Sequence, residues 1–188
     1  MQESNTSPLI EHLESQFGTI VGSWCSDDTQ YHSSIQIVEF RRGTVNRVTI
    51  LRTLGLSHVP IGTNGTRQEL FLMIKDGQLD AGLPAILDQV ARERVRSEKA
   101  VPRGEVISKP GVLAGKGEFV ALYAIHPVYY PDSFLTLRDK EGEILICWLL
   151  PIKHEELHYL QRNGWSKFDD LLDHANFDLF DLERPSVV

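Results

Sequence analysis

Apolar residues follow two different spacings along the chain, and each spacing predicts one kind of element. The apolar residues of segment 9–17 recur at helical intervals between Ser7 and Gly18, which predicts a short amphipathic helix with Ser7 as its N-cap. A second run of near-helical spacing predicts the longest helix over residues 83–99, ending before Pro102.

Other segments are rich in the β-branched and aromatic residues that favour strands. Segments 35–40 and 45–54 are predicted to form a hairpin around the turn signal Arg42-Gly43. Residues 68–74 and 119–125 are predicted to form two further strands, the second of them buried.

The last third of the chain predicts a hairpin followed by two helices. The hairpin joins residues 134–137 to residues 144–150, and Pro151 is expected to end it. A helix is predicted over residues 154–163, and a final helix begins with residues 166–169 as a capping box. Together the elements predict one α+β domain over residues 1–188, with a mixed or mostly antiparallel sheet flanked by helices.

Charge and composition exclude several classes of partner. The formal net charge of −7 disfavours general binding to nucleic acid, because a polyanion would be repelled on average. The longest apolar run, Ile144 to Ile152, is too short to cross a bilayer, and the first eight residues lack the pattern of an export signal. We therefore expect a cytoplasmic protein with no membrane partner. Cys25 and Cys147 lie too far apart in the sequence to suggest a disulfide framework.

One local motif points to metal chemistry. Residues 154–158 read H-E-x-x-H, so His154 and His158 would share one face of a helix and could hold Zn²⁺, with Glu155 polarising a bound water. A zinc-dependent hydrolase is therefore one alternative. The sequence selects no third ligand from His174, Asp178 and Glu183. The other interpretation is a polar helix start whose carboxylates complement the helix dipole, and we favour it because short motifs recur by chance.

Further features are assigned to structure. Segment 111–117 resembles a phosphate loop, but it has three residues between its first two glycines and no hydroxyl for Mg²⁺, so turns are predicted there. On the long helix, Arg94 is expected to pair with Glu98. Three tryptophans are predicted to pack in the core or at a hinge rather than to form a binding site: Trp24, Trp148 and Trp165.

The most informative pattern is carried by short segments spread over residues 35–188. They are Thr53-Leu54-Gly55-Leu56-Ser57, Val59-Pro60, Arg67-Gln68-Glu69-Leu70, Leu83-Pro84-Ala85, Trp148-Leu149-Leu150-Pro151-Ile152, Glu155-Glu156, Gly164, Phe168, Leu171-Leu172 and Asp181-Leu182-Glu183-Arg184. None is specific by itself, but their order and spacing resemble the suppressor of fused (SUFU-like) domain family.

The resemblance implies a protein-binding module with no catalytic residues and no cofactor. Animal members restrain a transcription factor of hedgehog signalling and carry an additional C-terminal region, for which this chain leaves no room. Bacterial stand-alone domains of this size are similar to immunity proteins, or antitoxins, of polymorphic toxin systems. We therefore expect a cognate protein toxin as the partner, and a regulatory adaptor that binds a transcription factor is a further alternative.

The resemblance also suggests where contact occurs. Peptide capture on a sheet edge is a mode that animal relatives suggest, and its counterpart here is segment 104–107, with Glu105 and Val106 as candidate contacts. The acidic helix start at Glu155 and Glu156 belongs to the family pattern and is a second candidate contact region. His154 departs from that pattern.

Overall fold

The fold is described by a computed structural model over residues 8–25, 35–62, 64–108 and 119–188. The predicted N-cap Ser7 and the glycine-rich segment 111–117 lie outside these residues. In the described ranges, none of the helices combines the length and the apolar character that crossing a bilayer requires.

Strands and helices occupy most of the described residues. The strands are β1 (Gly18–Cys25), β2 (Gln36–Arg42), β3 (Val48–Leu54), β4 (Arg67–Lys75), β5 (Val106–Ser108), β6 (Phe119–Ile125), β7 (Thr136–Asp139) and β8 (Gly142–Lys153). The helices are α1 (Pro8–Phe17), α2 (Gly82–Ser97), α3 (His154–Asn163) and α4 (Trp165–Asp173).

All of these strands join one sheet, in the order β1-β2-β3-β4-β8-β6-β5, and β7 pairs with β8 beside the end of β6. The β4–β8 pair is parallel, and the other pairs are antiparallel. The prediction of a single α+β domain with a mixed, mostly antiparallel sheet is therefore confirmed. The predicted helices and the first hairpin correspond to α1–α4 and to β2 and β3, although some of their ends differ by up to about three residues, whereas β1 was not predicted.

Helices cover both faces of the sheet because alternate residues of the central strands are apolar on both sides. Leu70 and Leu72 of β4 pack in the cluster that contains the buried residues of α2. Phe71 and Met73, between them in sequence, pack in the opposite cluster with residues of α1, α3 and α4. The long strand β8 contributes to both clusters and lies at the centre of the core.

The prediction that Pro151 ends its strand is wrong, because β8 continues to Lys153. The pairing of β8 with β4 stops at Trp148, so beyond that residue β8 has β6 on one side only. The carbonyl of Pro151 accepts a hydrogen bond from Arg184 and so faces away from β6. A strand residue turns its N and C=O to the same side, so the missing N–H of proline interrupts no hydrogen bond to β6.

A fully buried ion pair attaches the C-terminal segment to the start of α3. Both guanidinium Nη atoms of Arg184 donate to Glu156, at 2.5 and 2.9 Å, and neither side chain is exposed. Glu156 also accepts from the backbone N–H groups of Lys153 and Val187. One carboxylate thus joins the end of β8, the first turn of α3 and the last residues of the chain.

We expect Glu156→Gln and Arg184→Met each to lower the free energy of unfolding by about 3–5 kcal/mol, because each leaves a buried charge without its partner. The double variant should lose less than the sum of the two single losses, since it leaves neither charge behind. Denaturant unfolding of the unsubstituted protein, the two single variants and the double variant measures the coupling free energy between the two side chains. Glu155→Gln, at the exposed neighbouring position, is the control, and a loss there equal to that of Glu156→Gln would contradict the assignment.

Candidate functional site

The strand β5 lies at one end of the sheet, and its outer side is the centre of the candidate site. Val106 is paired with Tyr123 of β6, and the N–H of Ala124 donates to the carbonyl of Glu105. In an antiparallel pair, alternate residues point their backbone groups to the partner strand, so those of Val106 and Ser108 point away from β6. Among the described residues, no strand pairs with this outer side.

Glu105 lies just before β5 and is one quarter exposed. Its Oε1 accepts from Nη1 of Arg94 at 2.7 Å, whereas its buried Oε2 has no hydrogen-bond donor in the described part of the chain. The expected pair of Arg94 with Glu98 is therefore replaced by a pair that joins α2 to the start of β5. A surface cavity of about 680 Å³, lined by Lys99 and Pro102 among others, opens beside this carboxylate.

An exposed tryptophan lies next to the same strand. Trp165, the first residue of α4, is 49% exposed, and the guanidinium carbon of Arg103 lies 5.5 Å from its ring centroid, the geometry of a cation–π contact. The ring covers Gly104, where an added Cβ would lie 3.0 Å from Trp165 and where φ is +86°. Only glycine fits this turn without strain. Because it has no side chain, the ring of Trp165 can pack directly on its backbone.

Asp169 holds this arrangement in place from the nearly buried side of α4. It accepts from Nη2 and Nε of Arg103 at 2.7 and 3.1 Å, and from the hydroxyl of Tyr123 at 2.7 Å. Burial and the hydrogen bond to Asp169 both raise the pKa of Tyr123 far above its usual value, so the phenol stays protonated as a donor. The predicted capping box at residues 166–169 is wrong, because α4 begins after Gly164 and Asp169 serves this network instead.

A groove of about 490 Å³ opens on the face of the sheet that α2 covers, beside the loop that connects β6 to β7. Leu145, 39% exposed, and Cys147 line it from β8, and Arg103 lines it from the loop after α2. The amide of Gln68 fixes that loop, since it donates to the carbonyl of Val101 at 2.8 Å and accepts from its N–H at 2.9 Å. The groove and the exposed tryptophan therefore share Arg103 as a common border.

The H-E-x-x-H residues lie on the first turns of α3, away from the groove lining. His154, Glu155 and His158 are exposed, and the two Nε2 atoms are 2.8 Å apart. Among the residues that the structure describes, no group of three or more His, Cys, Asp or Glu side chains is arranged to hold a metal ion. The third protein ligand that a zinc hydrolase needs is therefore not found near these two histidines among the described residues.

One of the four predicted contact residues behaves differently from the expectation. Glu156 is fully buried in its ion pair with Arg184, so it does not lie on a surface that a partner could touch, and its role is structural. Glu155 is exposed on α3. Glu105 and Val106 lie together at the sheet edge.

Sequence reasoning missed the residues that surround this edge. Trp165 and Trp24 are exposed to 49% and 37%, so of the three tryptophans predicted to pack in the core or at a hinge only Trp148 is fully buried. Arg103 and Asp169 are 66 positions apart, and no local spacing signals their contact. The neighbouring Gly104 was the one local feature of the sequence that could have indicated a close approach of another side chain to the backbone.

Residues 32–185 match the family described as Suppressor of fused protein (SUFU). The chain belongs to the suppressor of fused family. A comparison with curated proteins finds no match.

Solved structures of suppressor of fused proteins share this fold. A homologue from Neisseria gonorrhoeae FA 1090 is 16% identical, with a TM-score of 0.76 over 96% of this chain and 94% of that one. The structure of the Sufu-Fu complex gives 13% identity and a TM-score of 0.71, over 95% of this chain and 90% of that one. Drosophila Suppressor of Fused gives 13% and 0.72, with 95% of this chain corresponding to 50% of that one.

The two cysteines of this suppressor of fused domain should react with alkylating reagents at very different rates. Cys25 is exposed, whereas Cys147 is half-buried in the groove and burial of its thiol raises the pKa to about 12, so at pH 8.5 Cys147 remains a poorly nucleophilic thiol. Below the unfolded thiol's pKa, near 8.5, the thiol is neutral in both states. As pH rises from there towards 12, the free energy of unfolding should fall, because only the unfolded chain ionises readily. Mass spectrometry after iodoacetamide treatment should show one fast and one slow site, and Cys25→Ser should leave only the slow one. Equal rates in the folded protein would contradict this burial.

Proposed function

We propose that this domain acts by binding another protein and that an extended segment of the partner pairs with the outer side of β5. The outward backbone groups of Val106 and Ser108 can receive such a segment, with Glu105 at its border. Trp165 and Arg103 lie beside this edge and are the residue types that most often dominate binding energy at interfaces. The exposed Glu155 on α3 serves as a peripheral contact, whereas the buried Glu156 does not touch the partner.

The partner that we propose is a cognate protein toxin, which the domain neutralises stoichiometrically in the cytoplasm without catalysis. The net charge of −7 supports this proposal, because complementary potential speeds association with a basic toxin surface. Similarity to the Neisseria gonorrhoeae homologue extends over nearly the whole of that chain. An immunity protein of this kind needs an exposed surface and no reaction centre, which agrees with the features of the β5 edge.

A regulatory adaptor is the second candidate function, because a structurally similar Sufu occurs in a complex with Fu. Such an adaptor would bind a transcription factor or another regulatory protein of the same cell. Affinity capture from the native cell separates the two candidates. An endogenous regulator favours the adaptor, whereas a toxin from the neighbouring gene favours neutralisation.

Co-expression tests the toxin proposal directly. The protein encoded by the gene next to this one should arrest growth when expressed alone, and this domain should restore growth by forming a complex of equal stoichiometry. Size-exclusion chromatography of the purified mixture measures that complex. Continued arrest with both proteins soluble would contradict neutralisation by direct binding.

Val106→Pro should abolish strand pairing by the partner while it leaves the domain folded. The N–H of Val106 points away from β6, so proline removes no hydrogen bond of the β5–β6 pair but blocks the outer edge. We expect the dissociation constant to rise at least about tenfold, the equivalent of one or two lost hydrogen bonds. Calorimetric titration with the captured partner measures this change.

Val106→Thr is the matched control, because it preserves the shape of the side chain and the backbone N–H. It should bind within about threefold of the unsubstituted protein. Thermal unfolding of both variants confirms that the domain remains folded. If Val106→Pro binds as tightly as Val106→Thr, pairing along β5 is excluded.

A further inference from the structure

The first turns of α3 present two imidazole rings that the fold does not use. His154 and His158 are both exposed, their ring centroids are 4.3 Å apart, and their planes are nearly perpendicular. Their Nε2 atoms lie 2.8 Å apart, so one ring donates a proton to the lone pair of the other. The two nitrogen atoms thus lie side by side on the exposed face of the helix.

The distance between these nitrogen atoms selects a coordination angle. With metal–nitrogen bonds of about 2.0–2.1 Å, donors 2.8 Å apart subtend about 85–90° at the metal. Adjacent positions of a tetragonal Cu²⁺ or Ni²⁺ ion require this angle, and imidazole is a preferred ligand of both ions. A tetrahedral Zn²⁺ ion would need the donors about 3.3 Å apart.

We propose that His154 and His158 form a two-histidine chelate for a Cu²⁺ or Ni²⁺ ion on the exposed face of α3. When the ion binds, the ring that carries the Nε2 proton takes it on Nδ1 instead, so both Nε2 lone pairs face the metal ion, and water fills the positions that face solvent. This site is distinct from a zinc hydrolase, which needs a third protein ligand around a closed site. It is also independent of partner binding at β5.

The fold prepares the chelate by holding the start of α3 rigidly. Glu156 accepts from the backbone N–H of Lys153 and pairs with Arg184 inside the protein, so the backbone that carries both rings is fixed. The positive end of the helix dipole opposes a bound cation at this place. The exposed carboxylate of Glu155 and the net charge of −7 act in the opposite direction.

The test uses protein without a polyhistidine tag, in a Cys25→Ser background that removes the exposed thiol. Calorimetric titration with NiCl₂ should show one equivalent bound, and electron paramagnetic resonance with one equivalent of CuCl₂ should show two nitrogen ligands. His154→Ala and His158→Ala should each weaken Ni²⁺ binding at least about tenfold, because each leaves a single imidazole. His174→Ala, at an exposed histidine of another segment, is the control and should bind as the parent does.

Either of two results would overturn the proposal. In the first, His154→Ala and His158→Ala bind Ni²⁺ as tightly as the His174→Ala control. In the second, Zn²⁺ binds more tightly than Cu²⁺ and Ni²⁺, which would mean a tetrahedral site with a further protein ligand. Thermal unfolding of each variant without metal establishes that any loss of binding is a loss of ligands and not of fold.

Discussion

A buried carboxylate is tolerated only when hydrogen bonds replace its lost hydration, and this constraint organises the domain. Glu69 of β4 is fully buried and accepts hydrogen bonds from the hydroxyl of Thr53, the backbone N–H groups of Gly55 and Ser57, and the hydroxyl of Ser57. Arg52 is buried nearby, where burial lowers its pKa to about 10 and the charge of Glu69 acts in the opposite direction. The conformation of the loop after β3 is therefore held by hydrogen bonds to the buried carboxylate of Glu69.

The same constraint explains the segments through which the family is recognised. Segments 53–57 and 67–70 supply Glu69 and its donors, and segments 155–156 and 181–184 supply Glu156 and Arg184. Each pair of segments is distant in sequence and adjacent in the fold. A change at one member leaves a buried polar group unsatisfied at the other, which costs more than the loss of an exposed contact. Glu156, in the acidic start of α3, thus has a structural role.

The sequence predicted the elements whose signal is local, and it failed where the signal depends on distant residues. Helical and strand spacing is a property of neighbouring positions, so α2, β6 and the first hairpin could be located. The strand β1 could not, since most of its residues are exposed or half-buried and present little apolar pattern. Pro151 was misjudged because the side from which β8 is paired is not visible in the sequence. Trp165 was predicted to pack in the core or at a hinge because a large ring usually favours burial, whereas here it is half exposed and covers the loop at Gly104.

The short edge at β5 limits what strand pairing alone can contribute. The outward N–H and C=O groups of Val106 and Ser108 supply at most about 2–6 kcal/mol in hydrogen bonds. Association itself costs about 4–15 kcal/mol. These hydrogen bonds therefore set the direction and register of the partner strand, but they do not by themselves keep the partner bound. The remaining free energy must come from apolar contact, which Trp165 and the groove at Leu145 offer on either side of Arg103. A three-residue edge also resists indiscriminate pairing with other chains, so selectivity follows from the need to match both the edge and its apolar border.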